Sequence, residues 1–293
     1  MSYVAWFKDL NKNSIPIAGG KGANLGEMFN LSLPVPPGFC VTAQTYKEFI
    51  ETTGLKSKID MLLKDLNEED TEKLQKVAEQ IQDLFSLEKI PEDMAEEIGD
   101  SYEVLDLNKK SAHDLVQTKG VFVAVRSSAT AEDLPSASFA GQQETYLNIR
   151  GEHALIDSCK RCFASLFTNR AIHYRIDKGF DHFKVALSIG VQTMVRSDLG
   201  ASGVMFSIDT ETGFKDVVLI NAIYGLGENI VQGKVNPDEY YVFKPTLKNG
   251  YNPIISKVVG NKNIKMVYSL GGSKQTTKDV GVPEEDRRKF ALD

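Results

Sequence analysis

The fold of this chain is decided around one central stretch, which reads Arg126-Ser-Ser-Ala-Thr-Ala-Glu-Asp-Leu-Pro-Ser-Ala-Ser-Phe-Ala-Gly-Gln-Gln-Glu-Thr-Tyr-Leu147. A short apolar run of β type, Val121–Val125, precedes it, and a second run, Tyr146–Ile149, closes it. Many residues between the two runs are small or carry hydroxyls, so backbone N–H groups can approach a ligand closely there. We place Arg126 at the end of the first strand, where ligand sites commonly open.

Arg126 makes this stretch a candidate anion site. A guanidinium group binds a phosphate through two parallel hydrogen bonds, and it keeps its charge at physiological pH. On this chemistry the stretch forms half of a polyphosphate site. The alternative is a surface loop in which Arg126 pairs with Glu132 or Asp133.

A second glycine-rich stretch supplies the other half: Gly19-Gly-Lys-Gly-Ala-Asn-Leu-Gly-Glu-Met28. The spacing of Leu25, Met28 and Phe29 predicts a helix that begins at these glycines. Lys21 then combines an ammonium group with the free N–H groups and positive dipole end of a helix start. The stretch is not a P-loop, because the four-residue spacer before Gly-Lys is missing and no Ser or Thr follows. The alternative is a solvated lysine on a glycine-rich turn.

The two stretches, in this order, resemble the N-terminal nucleotide-binding domain of the pyruvate phosphate dikinase and phosphoenolpyruvate synthase family, a domain that rifampin phosphotransferase shares. Further motifs match this family in the same order, and the resemblance covers nearly the whole chain. They are Pro34–Phe39, Cys162–Phe167, Val191–Val195, Ser202–Phe206, Tyr224–Gly233, Val235–Tyr240 and Val282–Arg288. The late motifs are most similar to the synthase branch.

The resemblance implies an α+β fold, an ATP-grasp-like two-lobed nucleotide-binding domain that is truncated at its C-terminal end. The first lobe, residues 1–190, holds the glycine-rich phosphate loops and a charged helical insert at about 55–118. The second lobe, residues 191–293, is rich in strands and incomplete. We expect Lys21 and Arg126 to converge on one bound triphosphate.

The resemblance also implies the residues that surround ATP. Lys21 and Arg126 contact the phosphates, Gly141 and Thr145 lie beside the nucleotide, and Gln192 lies near the ribose or adenine. Apart from the resemblance, Val191–Val195 is also consistent with a plain core strand, although Gln192 in this apolar run must find a polar partner. No metal ligand can be assigned; Glu228, in a glycine-rich turn, is as consistent with a solvated side chain.

The activity that the resemblance implies belongs to a longer protein. A synthase converts ATP, pyruvate and water to AMP, phosphoenolpyruvate and phosphate, with Mg²⁺, through a phosphohistidine on a separate domain. None of His113, His153, His173 and His182 lies in the histidine motif of that domain. We therefore expect no catalytic residue here, partners in the remaining domains of the same enzyme, and ATP binding without turnover by this chain alone. The alternatives are the corresponding domain of a rifampin phosphotransferase-like enzyme and a non-catalytic nucleotide-binding module.

Composition limits the other partners. The net charge of −6 argues against nucleic acid and membrane surfaces, and the 42% apolar and 25% charged residues are ordinary for a soluble domain. The 3 cysteines and the lack of a signal peptide or long apolar run indicate a cytoplasmic protein. Cys159-Lys-Arg-Cys162 is predicted to be part of a buried helix face, since a second cysteine pair for zinc is missing.

Local patterns predict several elements of the fold. Thr42 is an N-cap for a helix that extends to about Thr53. A helical face is predicted from Leu74 to Phe85, another from Met94 to Leu105, and a helix from Glu152 to Phe167. Two separate strands, Val185–Ile189 and Val191–Val195, follow.

Overall fold

The computed structural model describes residues 2–64, 66, 70–107, 120–130, 133–134, 137–138, 144–269 and 277–292. The chain divides into two compact units, Met1–Met194 and Val195–Asp293. The described part mixes helices with antiparallel sheets, which confirms the α+β class.

The first unit is built on a five-stranded sheet with the strand order β1-β2-β7-β3-β6. Its strands are β1 (Val4–Trp6), β2 (Gly38–Val41), β3 (Val123–Ala129), β6 (Thr145–Ile149) and β7 (Leu187–Thr193), and a two-residue pair, β4 (Asp133–Leu134) with β5 (Ala137–Ser138), lies between β3 and β6 in the chain. Its helices are α1 (Ile15–Asn30), α2 (Ala43–Thr52), α3 (Leu55–Leu63), α4 (Thr71–Leu87), α5 (Glu92–Leu107), α6 (Glu152–Ala164) and α7 (Asn169–Asp177).

One face of this sheet carries the main hydrophobic core. Alternate strand residues such as Phe39, Val125 and Val191 point to it and are fully buried. Helices α2 to α6 supply the other side of the core, for example through Phe85 and Phe163. The charged stretch at 55–107 therefore packs its apolar stripes on this face, as the predicted periodicity requires.

The opposite face is covered only in part by α1. A small cluster of Phe7, Leu10, Ala18 and Cys40 packs there, with Leu25 and Phe29 of α1 partly buried against it. Met28, which we predicted on the same apolar stripe, is instead 37% exposed. Arg126 and Thr145 are nonetheless exposed on this face, so α1 does not cover it completely.

Side-chain caps fix the starts of several helices. The Thr42 side chain accepts a hydrogen bond from the Thr45 N–H at 3.2 Å, which confirms the predicted cap of α2. Asp70 and Thr168 cap α4 and α7 in the same way. Such caps satisfy N–H groups that have no partner within the helix.

Two strand predictions were wrong in their extent. Val185–Ile189 and Val191–Val195 are not separate strands, since β7 runs without a break from Leu187 to Thr193. Gly190 does not interrupt it because its backbone is paired with β2 on one side and β3 on the other. Tertiary pairing here overrides a local signal for a break.

The second unit contains a four-stranded antiparallel sheet, order β11-β10-β9-β8, and a two-stranded sheet, β12-β13. Its elements are β8 (Ala201–Phe206), β9 (Val217–Tyr224), α8 (Glu228–Val231), β10 (Asp238–Phe243), α9 (Lys244–Lys248), β11 (Ile254–Val258), β12 (Ile264–Tyr268), β13 (Thr277–Gly281) and α10 (Glu284–Arg287).

A buried ion pair joins the end of the described chain to this sheet. Lys262 and Asp238 are both fully buried and bonded to each other. Asp238 also accepts the N–H of Ala291 at 2.6 Å, and Lys262 donates to the carbonyl of Arg287 at 3.3 Å. The pair therefore holds the segment after α10 against β10.

Candidate functional site

The candidate site is built on one row of residues that crosses all five strands of the first unit. Ala5 pairs with Cys40, Cys40 with Gly190, Gly190 with Arg126, and Arg126 with Thr145. Directly paired residues of antiparallel strands point to the same face. Cys40 is buried under α1, whereas Arg126 and Thr145 are exposed. The row is therefore buried at Cys40 and Gly190 and exposed at Arg126 and Thr145.

The glycine-rich start of α1 is locked onto the same face at Ser128. The backbone of Gly19 is non-helical, with φ 64° and ψ 177°, so the regular helix begins after it. A Cβ added to Gly19 would lie 2.3 Å from the Ser128 Oγ, so only glycine fits this contact. The N–H of Lys21 donates to the same Oγ at 3.1 Å.

This contact relates Lys21 to Arg126. Ser128 and Arg126 are two residues apart on β3, and residues two apart on a strand share a face. Lys21, itself exposed, is bonded through its backbone to that face. The structure therefore brings Lys21 and Arg126 to the same side of the sheet.

One detail of the predicted helix-start site was wrong. We expected the N–H groups at the glycines to be available to a ligand, but Ser128 accepts the N–H of Lys21. This hydrogen bond instead positions Lys21. An anion would then interact with the Lys21 ammonium group and with the positive end of the helix dipole.

The position of Arg126 also differs from the prediction. Arg126 lies within β3 and not at its end, since Ser127, Ser128 and Ala129 continue to pair with β7. Their polar groups are satisfied within the sheet, because the Ser127 Oγ accepts the N–H of Glu144 at 2.9 Å and the Ser128 carbonyl accepts the Ser188 hydroxyl at 3.1 Å. The hydroxyl-rich sequence that suggested a loop is therefore strand up to residue 129.

Gln192 lies two residues beyond Gly190 on β7 and shares its face. It is 8% exposed, and its side-chain amide donates to the Pro36 carbonyl at 3.2 Å. The expectation that this buried polar group finds a partner is confirmed. The Pro36 contact ties Gln192 to the segment before β2.

Thr145 is the first residue of β6 and is exposed at the end of the row. The carbonyl of the preceding residue, Glu144, accepts the Ser127 N–H at 3.1 Å and the Ser127 hydroxyl at 3.2 Å, so Thr145 has a defined place. Gly141 lies outside the described residues. Of the other four predicted site residues, Arg126, Thr145 and Gln192 share one face of the sheet, and Lys21 of α1 is bonded to that face through its backbone.

Electrostatics at this face are dominated by cations and buried neutral groups. Burial raises the pKa of the Cys40 thiol to about 12, so it stays neutral under α1. Within the part of the chain that the structure describes, no group of three His, Cys, Asp or Glu side chains is arranged for a metal ion. The face can hold an anion by direct contacts, but it carries no dedicated metal centre among those residues.

A groove of about 800 Å³ elsewhere in the first unit is separate from this face. Residues of α4, α6 and β6 line it, among them Ser86, Tyr146 and Lys160. Tyr146 alternates with Thr145 along β6 and so points to the opposite side of the sheet. The groove therefore belongs to the helical side of the unit.

Sequence reasoning missed two residues of this face, Ser128 and Gly190. Ser128 was one hydroxyl among many, and nothing local marks it as the contact of a helix start more than 100 residues earlier. Gly190 carried a signal, because a glycine inside an apolar β run marks a bulge or a close approach.

Comparison with known proteins identifies the family of the chain. The AMP/ATP-binding domain family of pyruvate phosphate dikinase matches residues 15–293. The chain is 52% identical to a phosphoenolpyruvate synthase of Synechocystis sp. and 53% identical to one of Aquifex aeolicus, each over 293 residues. It is 45% identical over 294 residues to a phosphoenolpyruvate synthase of Escherichia coli. Each comparison covers 99% of this chain but only 35%, 33% and 36% of the respective relative.

The sheet face, the glycine-rich helix start and these matches together define a nucleotide-binding domain of mixed helix and sheet. The chain belongs to the pyruvate phosphate dikinase AMP/ATP-binding domain family. It spans about a third of the length of the phosphoenolpyruvate synthases that it matches. Across the described residues, none of the helices combines the length and the apolar character needed to cross a bilayer.

Proposed function

We propose that this chain is the ATP-binding domain of a phosphoenolpyruvate synthase-type phosphotransferase with an ATP-grasp-like architecture. The observation that carries the proposal is the placement of Lys21 and Arg126 on one open sheet face. The chain has a net charge of −6, so a polyanion needs such local cations. The full reaction, ATP with pyruvate and water to AMP, phosphoenolpyruvate and phosphate, is completed by domains beyond this chain.

In this proposal each described site residue has a separate task. The guanidinium of Arg126 and the ammonium of Lys21 bind phosphate oxygens and offset charge that develops during phosphoryl transfer. The Thr145 hydroxyl lies at the end of the row, within the same face, and contacts the nucleotide. Gln192 lies near the ribose or adenine and is bonded to the Pro36 carbonyl, and Gly141, which is outside the described residues, lies beside the nucleotide.

Mg²⁺ accompanies ATP in this chemistry, and among the described residues no three His, Cys, Asp or Glu side chains cluster to hold a metal ion. Protein-bound Mg²⁺ in such enzymes commonly uses one or two carboxylates together with substrate phosphates. The chain's own contribution is to bind and orient the nucleotide.

The relatives favour the synthase over a rifampin phosphotransferase, since those reported above are phosphoenolpyruvate synthases at 45–53% identity. Titration calorimetry of the chain with ATP tests the proposal, and an assay of phosphoenolpyruvate from ATP and pyruvate accompanies it. We expect binding without product. Formation of phosphoenolpyruvate by the chain alone, or no heat of ATP binding at all, contradicts the proposal.

A further inference from the structure

Gly190 is a buried glycine in the middle of this row, and none of its described neighbours requires a glycine there. It lies in the middle of β7, paired with Cys40 on one side and Arg126 on the other. Among the described residues, the atom nearest to a Cβ built at Gly190 is the carbonyl oxygen of Arg126, at 3.9 Å. Among the described residues, no other atom lies within 4 Å of that Cβ.

The neighbouring glycines behave differently. A Cβ at Gly19 would meet the Ser128 Oγ at 2.3 Å, one at Gly22 the Cys40 Sγ at 2.7 Å, and one at Gly38 the Phe7 ring at 2.6 Å. Packing explains all three. Gly190 also lacks a positive φ, so backbone conformation does not require glycine there either.

A glycine inside a strand weakens the strand and packs nothing. Where neither backbone nor neighbours demand it, the remaining reason is that something else approaches the strand closely. The space above Gly190 is bounded by Cys40 under α1, by Arg126, and by Gln192 further along β7. These boundaries enclose the surface on which a ligand of Arg126 would lie.

We propose that Gly190 is the floor of the nucleotide site and that bound ATP rests directly on the backbone of β7 at this residue. The inference rests on the proposed function and adds a specificity-determining residue to it. Paired residues of adjacent antiparallel strands lie about 5 Å apart, so the part of ATP over Gly190 is the part that Arg126 holds. Any side chain at 190 fills the volume that this part of the ligand needs.

The test compares Gly190→Ala and Gly190→Val with the unaltered chain, using calorimetry for ATP and thermal unfolding for the fold. We expect Gly190→Val to weaken ATP binding about tenfold or more, and Gly190→Ala to weaken it less, because the ligand is displaced in proportion to the added volume. Gly190→Ala is expected to keep the melting temperature, since the described atom nearest to its Cβ lies 3.9 Å away.

Gly281→Val is the matched control. Gly281 lies in strand β13, has no positive φ, and a Cβ there meets no described atom within 4 Å. We expect this variant to bind ATP as the unaltered chain does.

The outcomes separate this inference from the proposed function. If the unaltered chain binds ATP and Gly190→Val binds it equally well, the proposed contact of ATP with Gly190 is refuted, while the proposed ATP site is not. A lowered melting temperature in both Gly190 variants overturns it too, because the glycine is then structural. If the unaltered chain fails to bind ATP, the proposed function falls and the inference with it.

Discussion

Replacing Arg126 by alanine separates a ligand-binding role from a structural one. The side chain is exposed on β3, and its backbone is paired on both sides, with Thr145 and with Gly190. The substitution therefore opens no cavity in the core. Exposed substitutions away from caps and special backbone positions change the free energy of unfolding by about 0.5 kcal/mol or less, so the melting curve is expected to stay nearly the same.

The effect on ATP is expected to be large. Hydrogen bonds to charged groups contribute about 1.5–3 kcal/mol, and every 1.4 kcal/mol changes a dissociation constant about tenfold. Loss of the guanidinium then weakens ATP binding by about 10- to 150-fold. We expect a loss of this size to abolish measurable ATP binding by this chain.

Titration calorimetry with ATP, paired with a thermal unfolding curve, measures both quantities on one sample. Arg170→Ala is the matched control, since Arg170 is an exposed arginine of α7 on the helical side of the same unit. It removes the same charge from the chain and is expected to leave ATP binding unchanged. A large fall in the melting temperature of Arg126→Ala, or equal ATP affinity in both variants, refutes the reasoning.

Two further predictions concern buried charge. Lys262→Met leaves the fully buried Asp238 without its cation and is expected to lower the free energy of unfolding by about 3–5 kcal/mol in urea titration. Lys248→Met, which changes a surface lysine, is the control. Equal urea midpoints for the two variants contradict the prediction. His182 accepts the Arg175 Nε–H at 3.0 Å, and burial followed by the nearby guanidinium lowers its pKa from 6.5 to about 4. The unfolded chain therefore binds the extra proton first, and stability is full above about pH 6.5 and lost as the pH falls toward 4. In urea titrations across this range, His182→Gln is expected to show a smaller loss than the unaltered chain; parallel curves would falsify this role.

The helical half of the first unit was predictable because its signals are local. Apolar residues recur every three or four positions, and a hydroxyl such as that of Thr42 caps a helix three residues away. Leu74, Ile81 and Phe85 were predicted on one face and are buried. The buried helix face containing Cys159 and Cys162 is confirmed as well, and burial raises the pKa of Cys159 to about 12.

The ends of the central strands were not predictable from local sequence. Ser127 and Ser128 have the composition of a loop, but pairing with β7 keeps them in the sheet. A glycine such as Gly190 is a local signal for the end of a strand, but pairing with two neighbouring strands keeps β7 continuous. Each outcome depends on strands distant in the chain, and strand preference is decided largely by such neighbours.

The candidate site was predictable as a set of residue types but not as a geometry. The glycine-rich and hydroxyl-rich stretches indicated Lys21 and Arg126, whereas the link between them is a single contact from Ser128 to the backbone of Lys21. The ion pair between Lys262 and Asp238, which are 24 residues apart, could likewise not be predicted from the local sequence. Contacts of this kind follow from the sheet order, which local periodicity does not encode.

The most direct test of the account is a crystal structure of this chain with a non-hydrolysable ATP analogue. The account predicts that the Lys21 Nζ and the Arg126 guanidinium both lie about 3 Å from oxygens of one phosphate chain. A phosphate chain bound by only one of these two side chains, or held on another face of the sheet, contradicts it.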